Sequence, residues 1–300
     1  QHFVRRRQRQ MCIRDRVTSS GWEFKAEYDV IKNDKLSYNS GLILYNNKVV
    51  LDEFSNELAQ YGFLGSPGQN AVTMVRVKVG DKLGNIYGPV FQGVNADGSP
   101  QFEDVNNDGT LNTDSGNVLQ DDYDGRVLGT AYPTLEMSWS NVLEFGDGWT
   151  LNAFFRGAFG HSLINTFRAF YEPNVPSQTS YNQMNTSLRE PNLAVAQYSS
   201  LYVEKADFFL LDNLTLSKQI FFPEGSGIKD LTVSLNALRP FVITSYTGTD
   251  PSPELFDALG GGEEGVEAGS DGAALLAPGI DRRQDYFASK TFSIGLSVNF

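Results

Sequence analysis

The last ten residues constrain this chain most. From Thr291 to Phe300 the residue types alternate without a miss. Phe292, Ile294, Leu296, Val298 and Phe300 fall on one face, and Thr291, Ser293, Gly295, Ser297 and Asn299 on the other. A period of two is that of a β-strand, whose successive side chains point to opposite sides. Large apolar groups backed by small polar ones, up to the final residue, fit a strand of a closed barrel in a bilayer: apolar toward lipid, polar toward a wet lumen. A half-buried strand of a soluble β-sandwich carries the same alternation. The two readings oppose each other on the even-numbered row, which is lipid-facing in one and sealed in a dry core in the other.

The charge is unevenly spread. The formal net charge is −12, yet the first sixteen residues hold Arg5, Arg6, Arg7, Arg9, Arg14 and Arg16 against a single acid, Asp15. Without them the balance is 18 basic against 35 acidic residues. An acidic body repels nucleic acid and suits sugar, cation or neutral-solute chemistry. Residues 1–16 show no periodicity and read as a non-native leader, which leaves 17–300 as the folded unit. The one cysteine, Cys12, lies in that leader, so neither a disulfide framework nor a thiolate metal site is expected. No run of 18 apolar residues offers a membrane helix, an absence that does not bear on barrel strands.

Strand patterning recurs along the chain. Trp22, Phe24, Ala26, Tyr28 and Val30 alternate with Glu23, Lys25, Glu27 and Asp29; the turn Asn33-Asp34-Lys35 then leads to a strand over about 36–46. Leu135–Phe145 and Trp149–Phe159 flank Gly146-Asp147-Gly148, a tight hairpin turn. Phe208–Ile220 and a return strand from Leu231 flank a turn at 221–230. With the terminal strand this makes seven. Short links (33–35, 146–148, 221–230) alternate with long ones (about 47–134, 161–206, 244–285) that read as irregular, apart from a strand at Val72–Val79. Outer-membrane barrels have this asymmetry, with short periplasmic turns and long extracellular loops. The expected fold is therefore all-β: an antiparallel transmembrane β-barrel with long extracellular loops. Seven strands cannot close such a barrel, so the chain reads as the C-terminal fragment of a larger one, beginning just upstream of Gly21.

One loop carries a ligand-like pattern. Asp104, Asn106 and Asp108 stand at positions 1, 3 and 5 of an EF-hand-like loop, with Gly109 at the sharp turn, the Thr110 carbonyl at 7 and Asn112 at 9. Hard oxygen donors at alternate positions suit Ca²⁺. Ser115 stands where the bidentate Glu belongs, and Asp114, one residue early, is the substitute. A solvated Asx turn without an ion accounts for the same residues, and both readings stay open. Covalent chemistry has little to work with. The histidines are His2 and His161, G-x-S-x-G is absent, and His161 reads as a loop residue at the membrane rim. No catalytic residue, organic cofactor or enzyme activity is expected. Trp149, beside a short turn, fits an interfacial aromatic girdle.

Several spaced motifs, in order, resemble the C-terminal barrel half of a SusC/RagA-type TonB-dependent outer-membrane transporter. They are Gly21-Trp22-Glu23-Phe24, the Asp-x-Asn-x-Asp-Gly stretch within Phe102–Asn112, Leu128-Gly129-Thr130-Ala131-Tyr132-Pro133, and Arg156-Gly157-Ala158-Phe159-Gly160. Asp207–Leu216, Ile243–Pro251, Gly279-Ile280-Asp281 and the terminal strand complete the set. Phe287 and Lys290, before the last strand, and Asn236-Ala237-Leu238-Arg239 depart from the family pattern. The resemblance covers about residues 21–300. It implies a 22-stranded barrel in the outer membrane of a Gram-negative bacterium. It also implies an N-terminal plug, a SusD-like surface lipoprotein lid, energy from the TonB complex, and import of an oligosaccharide or oligopeptide. Phe292, Ile294, Leu296, Val298 and Phe300 then resemble the signal read by the barrel-assembly machinery. The rival from another class is a secreted calcium-binding β-sandwich that binds glycans.

Overall fold

The computed structural model describes residues 16–53, 58–114, 120–176, 182–252, 278–283 and 287–300. Most of the leader, Cys12, Ser115 and the acidic tract at Glu263-Glu264 lie outside the described residues. The main sheet has seven strands: β1 (Arg16–Asn33), β2 (Leu36–Glu53), β3 (Leu135–Phe145), β4 (Trp149–Phe159), β5 (Phe208–Phe221), β6 (Asp230–Thr244) and β7 (Thr291–Asn299). Each pairs antiparallel with its chain neighbours, so sheet order equals chain order and the sheet is an up-and-down meander. β1 begins at Arg16, inside the segment read as leader, because Arg16 pairs with Asp52 (3.4 Å) and Glu53 (3.3 Å) on β2. β2 likewise outruns its expected end at 46.

The register puts all short links at one end. Asn33 pairs with Leu36, Phe145 with Trp149, and Phe221 with Asp230. Every long excursion leaves from the opposite end. The Gly146–Gly148 turn needs its glycines: Gly148 has φ +75°, and a Cβ there would stand 2.6 Å from the backbone oxygen of Gln219. Gly148→Ala is expected to destabilise the assembled sheet by about 1–3 kcal/mol, from the left-handed backbone penalty plus this clash. Urea titration of the protein in vesicles would show it as a lower midpoint.

Among the described residues the long links are not wholly irregular. They fold into a cap with its own small sheets. Leu58–Ser66, Gln69–Lys78, Asn85–Gly88 and Arg126–Thr130 form one, and Phe91–Val94 with Pro100–Phe102 a second. Val203–Lys205, Ser162–Asn165 and Ile280–Asp281 form a third, with the last two parallel. Helix α1 (Thr166–Tyr171) is one short turn whose cap, Asn165, accepts from the Arg168 N–H at 3.0 Å. Leu64, Val72, Met74, Val75, Ile86, Ile164, Ala169, Tyr198, Tyr202 and Ile280 make the core of this cap. The hydrophobic interior thus sits in the links, while the sheet's large apolar groups face outward. That inversion of an ordinary globular layout is the central structural fact.

Candidate functional site

The sheet has two faces, and cross-strand pairing assigns each residue to one. From Phe292, Ile294, Leu296 and Val298 the row continues through Ala237, Leu235, Val233 and Leu231 on β6, then Leu214, Leu216 and Ile220 on β5. It runs on through Leu151 and Ala153, Leu143 and Met137, Leu42 and Leu44, to Ala26 and Phe24. Phe292 and Leu296 are each 71 % exposed and Phe300 78 %. Among the described residues no second sheet covers this row, which overturns the sandwich expectation of a dry core. A strand such as β3, with 11 residues, rises about 3.3 Å per residue, and at a tilt near 40° it crosses roughly 28 Å, the depth of a hydrocarbon core. Phe145 and Trp149 stack near the turn end (6.3 Å), with the Lys218 ammonium 5.6 Å from the Trp149 ring. Toward the cap, Trp139 stacks on Phe155 (5.0 Å) and Phe155 on Phe209 (5.4 Å). The cluster at the turn end lies where an interfacial girdle is expected; the second lies within the band, with Met137, Leu44 and Phe24 continuing the apolar row beyond it toward the cap.

The opposite face is mostly polar, with Ile43, Val142 and Phe154 among its large apolar members. It carries Glu23, Lys25, Glu27, Asn39, Glu136, Ser138, Asn152, Thr215, Thr232, Ser234 and Asn236. Neighbouring strands bond across it: Thr215 Oγ1 donates to Asn236 Oδ1 (2.9 Å), and Asn299 Nδ2 to Asp230 Oδ1 (2.9 Å). Such a face suits a water-filled lumen, where each group keeps a protein or solvent partner.

At the cap end, charged residues tie the excursions together. Arg168 on α1 donates from Nε to Glu172 (2.9 Å), and from one terminal nitrogen to Glu204 (2.8 Å) and the Leu201 carbonyl (3.2 Å). Its other terminal nitrogen reaches the Leu188 carbonyl (3.2 Å). Burial works against the guanidinium's charge, but the bonds to Glu172 and Glu204 outweigh it and hold its pKa above the ordinary value. Glu204 also accepts from the Thr247 N–H (3.0 Å), so one carboxylate joins the second excursion to the third. Tyr246 donates to Asp281 Oδ2 (2.6 Å); burial, then the Asp281 charge, pushes its phenol far above the usual range. His161 lies in the link just past the end of β4 and is buried. It is 4 % exposed, its Nε2 lies 3.0 Å from the Pro251 carbonyl, and its ring meets Phe208 edge-on.

The Asp-x-Asn-x-Asp-Gly loop is one compact turn. Asp104 accepts from the N–H groups of Asn107 (2.7 Å) and Gly109 (2.9 Å), Asn106 from Asp108 (2.9 Å), and Asp108 from Thr110 (2.8 Å). Its ends are closed by a residue the sequence reading passed over. Asp124, fully buried, accepts from Val105 (2.9 Å) and Asn112 (2.8 Å). Asp104, Asn106, Asp108, Thr110 and Asn112 are therefore brought together, with Asp114 two residues beyond. Among the described residues no three acid, histidine or cysteine side chains converge on one point. The carboxylates shown here organise peptide N–H groups.

No family model matches the chain. It is 22 % identical over 317 residues to TonB-dependent receptor P26 of Formosa agariphila, covering 95 % of this chain and 29 % of that protein. Its structure is similar to the RagAB peptide importer in the "closed-closed" state (TM-score 0.68, 16 % identity) and in the "open-open" state (TM-score 0.64, 16 % identity). Those matches cover 95 % of this chain and 30 % and 29 % of the solved chains, so the chain spans less than a third of the length of these relatives. The seven-strand count, the two-faced sheet and the one-sided excursions all agree with that likeness. This chain has the fold of the C-terminal barrel portion of a SusC/RagA-type TonB-dependent outer-membrane transporter.

Proposed function

We propose that this chain forms part of an outer-membrane importer for a large nutrient, an oligosaccharide or oligopeptide, and performs no covalent chemistry. The observation that carries the reading is the sheet's division into an apolar face and a hydrogen-bonded polar face, with a folded cap at one end only. In this reading the polar face lines the path of the solute, and the cap narrows or recognises at the outer mouth. The solved neighbours are states of a peptide importer, and the relative is named as a receptor. Both names support passage of a solute. A SusD-like surface lipoprotein closes the mouth, the TonB complex supplies energy, and the barrel-assembly machinery reads Phe292, Ile294, Leu296, Val298 and Phe300.

Deletion of the encoding gene tests this. Cells lacking the receptor should lose uptake of at least one fluorescent oligosaccharide or oligopeptide and regain it on complementation. Uptake unchanged for every solute tried would remove the importer reading.

In the same reading the turn around Asp104, Asn106, Asp108, Thr110, Asn112 and Asp114 binds Ca²⁺ through lone pairs not used by the peptide donors. Calorimetric titration of the purified receptor with CaCl₂ should release or absorb heat at one site, and Asp104→Asn with Asp108→Asn should abolish it. No difference between wild type and variant at millimolar ion would leave a turn held by hydrogen bonds alone.

A further inference from the structure

A small cavity of about 130 Å³ lies where the cap meets the polar face of the sheet. Its polar lining includes Tyr45, Glu136, Ser138, Arg156 and His161. Register places Tyr45, Glu136, Ser138 and Arg156 on the polar face of β2, β3 and β4, while His161 follows β4 into the cap. Three features of this site are unbalanced.

The first is charge. Arg156 holds Asp212 in a fork, Nε at 3.0 Å and a terminal nitrogen at 3.2 Å, so its cation is already matched. Glu136 then leaves the Glu136–Arg156–Asp212 group with one net negative charge. The second is the Glu136 carboxylate. Tyr45 donates to its Oε2 at 2.6 Å and fixes its orientation, while Oε1 has no hydrogen bond among the described residues. The third is His161. A carbonyl only accepts, so the contact to Pro251 puts the ring proton on Nε2 and leaves Nδ1 of the neutral ring as an acceptor. That Nδ1 is buried and has no partner. A buried ring nitrogen without a partner, an oriented carboxylate oxygen open to solvent and one net negative charge on the Glu136–Arg156–Asp212 group fit the same ligand: a cation that donates several hydrogen bonds.

We propose that this cavity takes a nitrogen cation, the ammonium or guanidinium of a lysine or arginine side chain on an imported peptide. The volume admits several atoms, enough for the end of one side chain and not for a whole oligomer repeat. The site rests on the importer reading and deepens it by naming the cargo class: basic oligopeptides pause here at the outer mouth before entering the barrel.

The test uses the full-length receptor, purified in detergent, and two blocked octapeptides of Ala, Ser and Gly that differ only in carrying one lysine or one norleucine. The lysine peptide should bind at least tenfold more tightly. Glu136→Gln, nearly isosteric and half-buried, should bring the two within twofold. Glu144→Gln removes another polar-face acid, at the turn end of β3, and should preserve the preference. Rising ionic strength should weaken the preference in the wild-type receptor, which keeps the test alive should Glu136→Gln fail to assemble. Equal binding of the two peptides by the wild-type receptor overturns the site. Binding of neither peptide, in a receptor that still imports an oligosaccharide in cells, also overturns it and leaves the importer reading standing. Import of no solute removes that reading together with the site.

Discussion

Leu296→Arg should block assembly of this barrel or cost it about 2–4 kcal/mol, whereas Ser297→Arg, one residue on, should cost about 1 kcal/mol or less. Leu296 belongs to the outward row and pairs with Val233 on β6; Ser297 pairs with Thr232 on the polar face. An arginine at position 296 would carry its charge into hydrocarbon near mid-bilayer, with small escape routes by snorkelling. At position 297 the same side chain reaches water. The difference between adjacent positions is what a two-faced sheet demands; a half-buried strand of a soluble sheet would show it too, so the assembly readout in the outer membrane is what ties it to lipid. Heat-modifiable migration of the receptor from outer membranes would report assembly, and urea titration in vesicles would give the energy.

Arg168→Met should unfold the cap while leaving the sheet assembled. The Arg168 and Glu172 side chains are 7 % and 3 % exposed, so removing the cation leaves the buried Glu172 charge with only the Thr186 hydroxyl, and Glu204 with Asn165 and Thr247. Breaking a buried pair on one side costs about 3–5 kcal/mol. The cap core is small, so that loss should appear as rapid proteolysis between β4 and β5 with unchanged heat-modifiable migration. Replacing all three, Arg168→Met with Glu172→Gln and Glu204→Gln, removes the stranded charges and should recover most of the protection. Equal protease resistance of wild type and Arg168→Met would mean that the cap does not depend on this network.

The seven barrel strands were legible because lipid and lumen are each uniform. A residue such as Leu143 or Ile294 needs only to be apolar on the correct beat, so period two survives in the sequence. The cap has no such uniformity. Leu64, Met74 and Tyr198 each meet a different neighbour in a small core, and no period announces them. Helix α1 is a single turn, too short to display a 3.6-residue repeat, although Asn165 is a conventional cap. Arg168 and Glu172, four apart, look on paper like an exposed helix pair. Glu204, 36 residues beyond Arg168, shows its role only once the excursions fold together. Asp124 was hidden for a similar reason: the Asp-rich turn advertises its own residues, not the one that locks it from 20 positions after Asp104. His161 was placed at a strand end by its aromatic neighbours, but its burial against Phe208 shows only in the fold.

β1 and β7 are the outer strands of the sheet and do not pair with each other among the described residues. Backbone groups on an open edge at membrane depth have no solvent to bond. The chain spans 29–30 % of the length of its relatives.

The most direct measurement is a spin-label scan of positions 292–299 in the assembled receptor, with Cys12 replaced by Ser and one new cysteine at a time. Labels at 292, 294, 296 and 298 should be relaxed by oxygen dissolved in lipid, and labels at 293, 295, 297 and 299 by a water-soluble nickel chelate, in strict alternation. Shielding of the even-numbered labels from both agents would place that row in a protein core and contradict the barrel.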